Sequence, residues 1–237
     1  MSDGPEIADF QREVASWLTD HAEQAPRDYG AICPPELIER GISWQRTIRD
    51  AGFAGIHWPT EFGGRGLSVE HNGVWLLECA RAGVPPVLNM VGLVLAGGAL
   101  LRYGTPAQQE RHLRATLDAD DVWCQLFSEP GSGSDLASLS TRAERDGDRY
   151  IVNGQKVWCS GGRYSNWGIL MARTDPTAPK HQGISFFLCP MDLPGIEIRP
   201  LEQMTGESEF DEVFFTDVEL PADHRLGPEH GGWGVGM

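Results

Sequence analysis

WCQLFSEPGSGSD (residues 123–135) and, further on, QKVWCS (residues 155–160) are the stretches on which the fold turns. The first is a short apolar run, bounded by turn residues, that suits a buried strand. It ends on a loop holding Gly131, Gly133 and the three serines Ser128, Ser132 and Ser134. The second reads as another strand, with Trp158 and Ser160 two positions apart. Together they have the make-up of two walls of a site for a flat ring with a phosphate tail.

Upstream of residue 118 the chain reads as helical. Ile7, Phe10, Val14, Trp17 and Leu18 recur at spacings of three and four, one face of an amphipathic helix. A second helix is expected from Pro35 to a stop at Gly52. Residues 55–66 form a loop by their Gly and Pro content. Ser68 is placed to cap a third helix carrying Val69, Val74, Leu76 and Leu77. The uncharged run 82–101 holds Pro85, Pro86, Asn89 and four glycines. These argue against a membrane span and for a buried core helix from about Val87. Thr105-Pro106-Ala107-Gln108 is a capping box with proline at the first helical position, opening a helix through Leu117.

Downstream the pattern changes to β. Asp146-Gly147 and Asn153-Gly154 are tight-turn signals between strand-like segments. Residues 169–173, 183–189, 196–200 and 213–220 complete the set. Helices followed by strands imply an α+β chain: an N-terminal all-α domain, then a β-barrel or sandwich middle domain. The expected domains are 1–117 and 118–230, with 231–237 opening a linker.

Composition excludes several functions. The net charge of −15 and pI near 4.8 repel nucleic acid and anionic lipid. Residues 201–223 hold eight acids and no Lys or Arg, either a solvated face or a docking surface for a basic partner. The five cysteines are widely spaced with no C-x-x-C, and read as reduced thiols of a cytoplasmic protein. The seven histidines have no metal-ligand spacing, so no metal is expected. The polar, acidic N-terminus has no signal-peptide pattern.

The site residues each have two readings. Gly131 and Gly133 let the backbone approach a ligand, and successive amides there can cradle an anion, with the Ser134 hydroxyl adding a donor. A Gly/Ser loop is also ordinary connective chain. It matches neither the P-loop nor G-x-G-x-x-G. Trp158 is either core or an apolar wall beside an aromatic cofactor. Ser128 and Ser160 sit at strand ends, where a hydroxyl can reach a ring's polar edge.

Taken jointly these segments resemble the acyl-CoA dehydrogenase family over nearly the whole chain. GIHWPTEFGGRGL (55–67) resembles its helical-domain loop, and YGTPAQQ (103–109) the helix start before its β-domain. LFSEPGSGSD (126–135) is similar to its most diagnostic signature and YIVNGQKVW (150–158) to the next. FFTDVELP (214–221) resembles the strand closing the β-domain.

The resemblance implies FAD as cofactor. Gln125, Leu126, Phe127 and Ser128 would lie along the flavin, with Ser128 bonding its polar edge. Gly133 and Ser134 would meet the pyrophosphate, and Ser134 would also lie near the entering acyl-CoA substrate. Trp158 would pack on the ring, and Ser160 would bond near its reactive nitrogen. Cys159, between them in the same cofactor-binding segment, reads as packing. Many relatives carry Thr at Ser128 and Ser160, which keeps the hydroxyl. The uncharged helix after Val87 would line the acyl pocket or be plain core.

The implied reaction is α,β-dehydrogenation of an acyl-CoA thioester, of the kind used in lipid or sterol side-chain breakdown. A carboxylate takes the α-proton and the flavin accepts hydride. Electron-transferring flavoprotein is the family's usual acceptor, and a homo- or hetero-oligomer is expected. The family's base is a Glu in a C-terminal helical bundle, expected beyond Met237. No catalytic residue is therefore assigned, and Glu129 reads as a structural acceptor. The chain is expected to be a piece of a longer enzyme, or else a short subunit that partners one. A CoA- or nucleotide-binding module without redox work is a further alternative.

Overall fold

The computed structural model describes residues 5–27 and 32–237. Three helices open the chain: α1 (Ile7–His21), α2 (Ile38–Asp50) and α3 (Val69–Ala82). A π-helical turn (Val91–Ala96) runs into α4 (Gly97–Tyr103), and α5 (Pro106–Leu117) follows. Then come β1 (Trp123–Leu126), β2 (Arg142–Asp146), β3 (Arg149–Ser160), β4 (Trp167–Arg173) and β5 (Ile184–Pro190). β6 (Ile196–Leu201), β7 (Phe210–Pro221), β8 (Arg225–Leu226) and the short α6 (Gly232–Gly236) complete it. The helices-then-strands order is as expected.

Local chemistry explains the helix ends. The α1 stripe buries Phe10, Val14 and Leu18. At α5 the capping box is complete: Thr105 Oγ1 accepts from the Gln108 amide at 3.2 Å and Gln108 Oε1 from the Thr105 amide at 3.0 Å. Ser68 does sit just before α3, but its hydroxyl bonds His71 Nδ1 at 2.9 Å rather than a backbone amide.

The strands form one eight-stranded sheet, seven of them in the order β6-β7-β3-β2-β4-β5-β8 and β1 paired to β4 off this path. β4 pairs with β5 along one edge and divides its other pairings between β1, at 167–170, and β2, at Arg173 alone. That single pairing is a seam about which the sheet folds over. Tyr150 of β3 thereby meets Phe187 of β5 edge-on at 4.9 Å. The barrel-or-sandwich expectation describes this folded-over sheet.

Side chains alternate across β4 and β5 with period two. Leu170, Ala172, Phe187 and Cys189 point into an inner core with Val152, Val213 and Val218. Ile169, Met171, Phe186 and Leu188 point the other way, into a core shared with Trp58, Leu100, Leu113 and Leu117 of the helical half. Both faces are covered, which is why these strands read as continuous apolar runs. Helix and sheet therefore share one core.

Two expectations are corrected. Asn153-Gly154 is not a turn but lies inside β3, where the pairing with β7 slips between Val152 and Gly154. Asn153 Nδ2 donates to Asp217 Oδ1 at 3.0 Å across that irregularity, and Gly154 takes φ +154° against Thr141. The helix expected from Val87 starts only at Met90 and is not wholly buried: Met90, Val94 and Leu95 are exposed. Its other face packs closely, since a Cβ on Gly97 would stand 2.1 Å from Trp58 Cζ2.

Candidate functional site

The site begins where β1 is anchored. Buried Asn89 accepts from the Trp123 amide at 3.0 Å and donates to the carbonyls of Asp121 at 2.7 Å and Thr116 at 3.2 Å. Gln45 holds Asn89 in turn, its Oε1 accepting from the Asn89 amide at 2.9 Å. The first strand is thus fixed to the helical half by this amide side chain and by the Trp123 indole, which donates to Thr116 Oγ1 at 2.9 Å. Along it, Cys124 and Leu126 enter the inner core, while Trp123 and Phe127 face the helices.

Beyond Leu126 the chain leaves β4 and docks on β3: the Val157 amide donates to the Ser128 carbonyl at 2.9 Å. It can do so because β3 slips register against β7 between Lys156 and Cys159. The same slip places Trp158 at φ +61°, a left-handed conformation rare for a bulky residue. Its indole is turned outward, 57% exposed, edge-on to Phe210 at 5.7 Å. The core reading of Trp158 is therefore set aside.

A buried ion pair locks the two segments together. Lys156 Nζ donates to Glu129 Oε1 at 2.8 Å and to the Phe127 carbonyl at 3.0 Å. Glu129 also accepts from the Ser140 amide at 2.7 Å, its hydroxyl at 2.8 Å and the Thr141 amide at 2.9 Å. Burial pushes the Glu129 carboxyl up, but Lys156 and these donors outweigh it and hold it down to about 2. Glu129 is a structural acceptor, as its place in the loop suggested.

The Gly/Ser loop closes on itself through reciprocal backbone bonds between Glu129 and Ser132, at 2.8 and 3.0 Å. Ser132 Oγ donates to the Asp135 carbonyl at 2.9 Å. Gly133 and Ser134 are exposed, and their amides bond no backbone carbonyl among the described residues. A Cβ at Gly131 or Gly133 would meet nothing within 4 Å, so the loop's outer side is open.

Two cavities meet here. One, of about 220 Å³, is lined by Gln125, Phe127, Ser128, Leu136, Val157 and Trp158, with Gly236 and Met237. The other, of about 240 Å³, shares Phe127, Gly236 and Met237 with it and runs under Val94, Leu95, Gly98, Ala99 and Arg102. Tyr103 donates to the Gly234 carbonyl at 3.0 Å and so ties α6 to α4 at its rim. No carboxylate lines either cavity among the described residues.

The residues present fit a flavin with a phosphate tail. An exposed indole and a half-buried hydroxyl and amide border one cavity, and unbonded loop amides stand open nearby. Of the residues singled out in the sequence, Gln125, Phe127, Ser128 and Trp158 converge on that cavity; Gly133, Ser134 and Ser160 do not line it. The side chains of Leu126 and Cys159 are fully buried in the inner core, leaving only their backbones for any ligand. Burial pushes the Cys159 thiol up to about 12, so it is no thiolate. Leu136 and Val157 were missed, since nothing local distinguishes them from core; the uncharged helix after Val87 reads in the sequence as a pocket wall or plain core, and its Val94, Leu95, Gly98 and Ala99 line the second cavity.

Family models match both halves: the acyl-CoA dehydrogenase N-terminal domain over residues 5–120 and its middle domain over 124–218. The chain belongs to the acyl-CoA dehydrogenase family. It is 42% identical over 236 residues to acyl-CoA dehydrogenase IpdE1 of Mycobacterium tuberculosis, covering 98% of this chain and 61% of that protein. Among solved structures it superposes on the Tcur3481-Tcur3483 steroid acyl-CoA dehydrogenase with a TM-score of 0.85 at 31% identity, covering 99% of this chain and 61% of that one. The ChsE4-ChsE5 complex from Mycobacterium tuberculosis matches with a TM-score of 0.82 at 30% identity, covering 99% and 59%. The chain thus spans about three-fifths of the length of these relatives.

Proposed function

We propose that the chain carries the FAD-facing part of an acyl-CoA dehydrogenase that forms an α,β double bond in an acyl-CoA thioester of lipid or sterol-derived type. The observation that carries this reading is the convergence of Gln125, Phe127, Ser128 and Trp158 on one cavity that shares Phe127 with a second one walled by Val94, Leu95 and Ala99 and bordered by Arg102 and Tyr103. When bound, FAD supplies the redox chemistry, taking up the hydride that leaves the β-carbon. Trp158 presents an apolar face to the ring, and Ser128 and Ser160 offer hydroxyls to its polar edge. Gly133 and Ser134 turn amides and a hydroxyl to the pyrophosphate, and Ser134 lies beside the thioester's path. Val94, Leu95, Gly98 and Ala99 take the acyl group, and Phe127, which lines both cavities, stands where the acyl group meets the flavin. No proton acceptor is assigned to a side chain of this chain.

A second reading is a partner subunit in a hetero-oligomer. The likeness to a ChsE4-ChsE5 complex favours it. An electron-transferring flavoprotein is the electron acceptor proposed in either case. The test is to purify the chain, alone and joined to the C-terminal helical domain of an acyl-CoA dehydrogenase, titrate both with FAD, and add acyl-CoA thioesters anaerobically. Flavin binding with substrate-dependent bleaching supports the first reading. Bleaching that appears only when an unlike dehydrogenase subunit is co-expressed supports the second. Failure to hold FAD in both settings overturns the cofactor assignment.

A further inference from the structure

A third, small cavity of about 30 Å³ lies on the far side of the π-helical turn, lined among others by Phe53, His57, Trp75, Leu76, Met90 and Val94. Val94 also lines the cavity of about 240 Å³, so its side chain borders both. Two of the residues lining the small cavity carry buried nitrogens with no hydrogen-bond partner among the described residues: His57 Nδ1 and Trp75 Nε1. Such orphans are rare in folded proteins, and two around one small cavity point to a guest that satisfies both.

The chemistry of the pair narrows that guest. An indole N–H only donates, so the guest must accept. Trp75 is 1% exposed, and its ring stacks on Phe53 at 5.0 Å and 9°, which holds the plane of the indole. Burial lowers the His57 pKa, so its ring is neutral and Nδ1 either donates or accepts according to tautomer. A single uncharged oxygen meets both demands: a ketone accepts from both nitrogens, and a hydroxyl accepts from the indole and donates to Nδ1. A carboxylate would lack a counter-charge among the lining residues, and an ammonium cannot accept.

We infer that this cavity recognises a ketone or hydroxyl oxygen at the far end of the acyl group, making Trp75 and His57 specificity-determining residues. The inference rests on the proposed function, since it places the acyl group in the cavity beneath Val94. It extends that reading from apolar acyl groups to large ones oxygenated at the distal end.

The test titrates the FAD-loaded full chain with two CoA thioesters of one carbon skeleton, bearing either a distal ketone or a methylene in its place. The ketone thioester is expected to bind about tenfold more tightly, the worth of one or two buried hydrogen bonds. Trp75→Phe, which retains a ring to stack on Phe53 but lacks the N–H, is expected to reduce that ratio severalfold. In the wild-type chain the ¹⁵N-labelled Trp75 indole resonance is expected to shift with the ketone thioester and not with the methylene one. This readout stands even if the variant fails to fold. Equal binding of the two thioesters, or an indole resonance that responds to both alike, overturns the inference and leaves water as the cavity's occupant. Failure of both thioesters to bind overturns the proposed function as well.

Discussion

Lys156 and Glu129 sit 2.8 Å apart with side chains 0% and 5% exposed, and they join the two segments that frame the candidate flavin site. The Ser128–Val157 backbone bond lies alongside. Neither residue lines the cavity, so the pair acts by position. Removing one partner leaves the other charge buried and unpaired. Lys156→Met is expected to cost about 3–5 kcal/mol in urea unfolding. Adding Glu129→Gln should recover part of that loss, because the orphaned charge is then gone. Additive losses in the double variant would show that the two groups are not coupled.

The same pair sets an acid limit. The Glu129 carboxyl is held at about 2 in the folded chain against an ordinary 4.5. A depressed folded pKa contributes stability that is complete above the unfolded value and is lost as pH falls through the folded one. That contribution should therefore fade between about pH 4.5 and pH 2. Urea midpoints measured across that window should fall more steeply in the wild-type chain than in Glu129→Gln.

Trp158 offers a sharper separation of fold from function. Its left-handed φ of +61° is a strained conformation for a bulky residue, and its indole is largely exposed. Trp158→Gly relieves that strain, so the chain without flavin should gain about 1 kcal/mol of stability. The same change deletes the proposed aromatic wall and should weaken FAD binding about tenfold. Calorimetry of the flavin-free chain and quenching of flavin fluorescence on titration measure the two effects separately. A stability gain with unchanged flavin affinity would remove Trp158 from the site.

Much of this was legible in the sequence because it is local. The Thr105 capping box, the α1 stripe of Phe10, Val14 and Leu18, and the turn at Asp146-Gly147 each depend on residues a few positions apart. What escaped depends on distant partners. Asn153-Gly154 has the composition of a turn, yet β7 pairs across it and keeps the strand running. Trp158 faces outward because β3 slips register against β7, which no β3 residue announces. The exposed Val94 and Leu95 look like core by composition, and only the packing of α4 on Trp58 shows which face is left open. The cofactor segments were readable as motifs and the helix after Val87 as a pocket wall or plain core; the part α6 plays in the cavities was not.

Asn89 is the place where the helical half and the first strand of the site are most exposed to a single change. Its side chain accepts from the Trp123 amide and donates to two carbonyls, all within the buried interior. Asn89→Ala leaves the Trp123 amide and the Asp121 carbonyl without that partner, while the Thr116 carbonyl keeps Gln45 Nε2 at 3.0 Å, and is expected to cost about 3 kcal/mol in chemical denaturation. Asn89→Asp should be worse at neutral pH, since a carboxylate can still accept from Trp123 but would face the carbonyls of Thr116 and Asp121 with no proton to give. Protonation restores one donor, so the Asp variant should regain stability as pH falls from 7 towards 5, opposite in sign to the Glu129 effect. Hydrogen exchange locates the damage: the Trp123 amide should lose protection first in Asn89→Ala, while the amides of β7, far from this junction, keep theirs relative to the new global stability. Uniform loss of protection across both would mean that Asn89 supports the fold as a whole and does not specifically anchor β1.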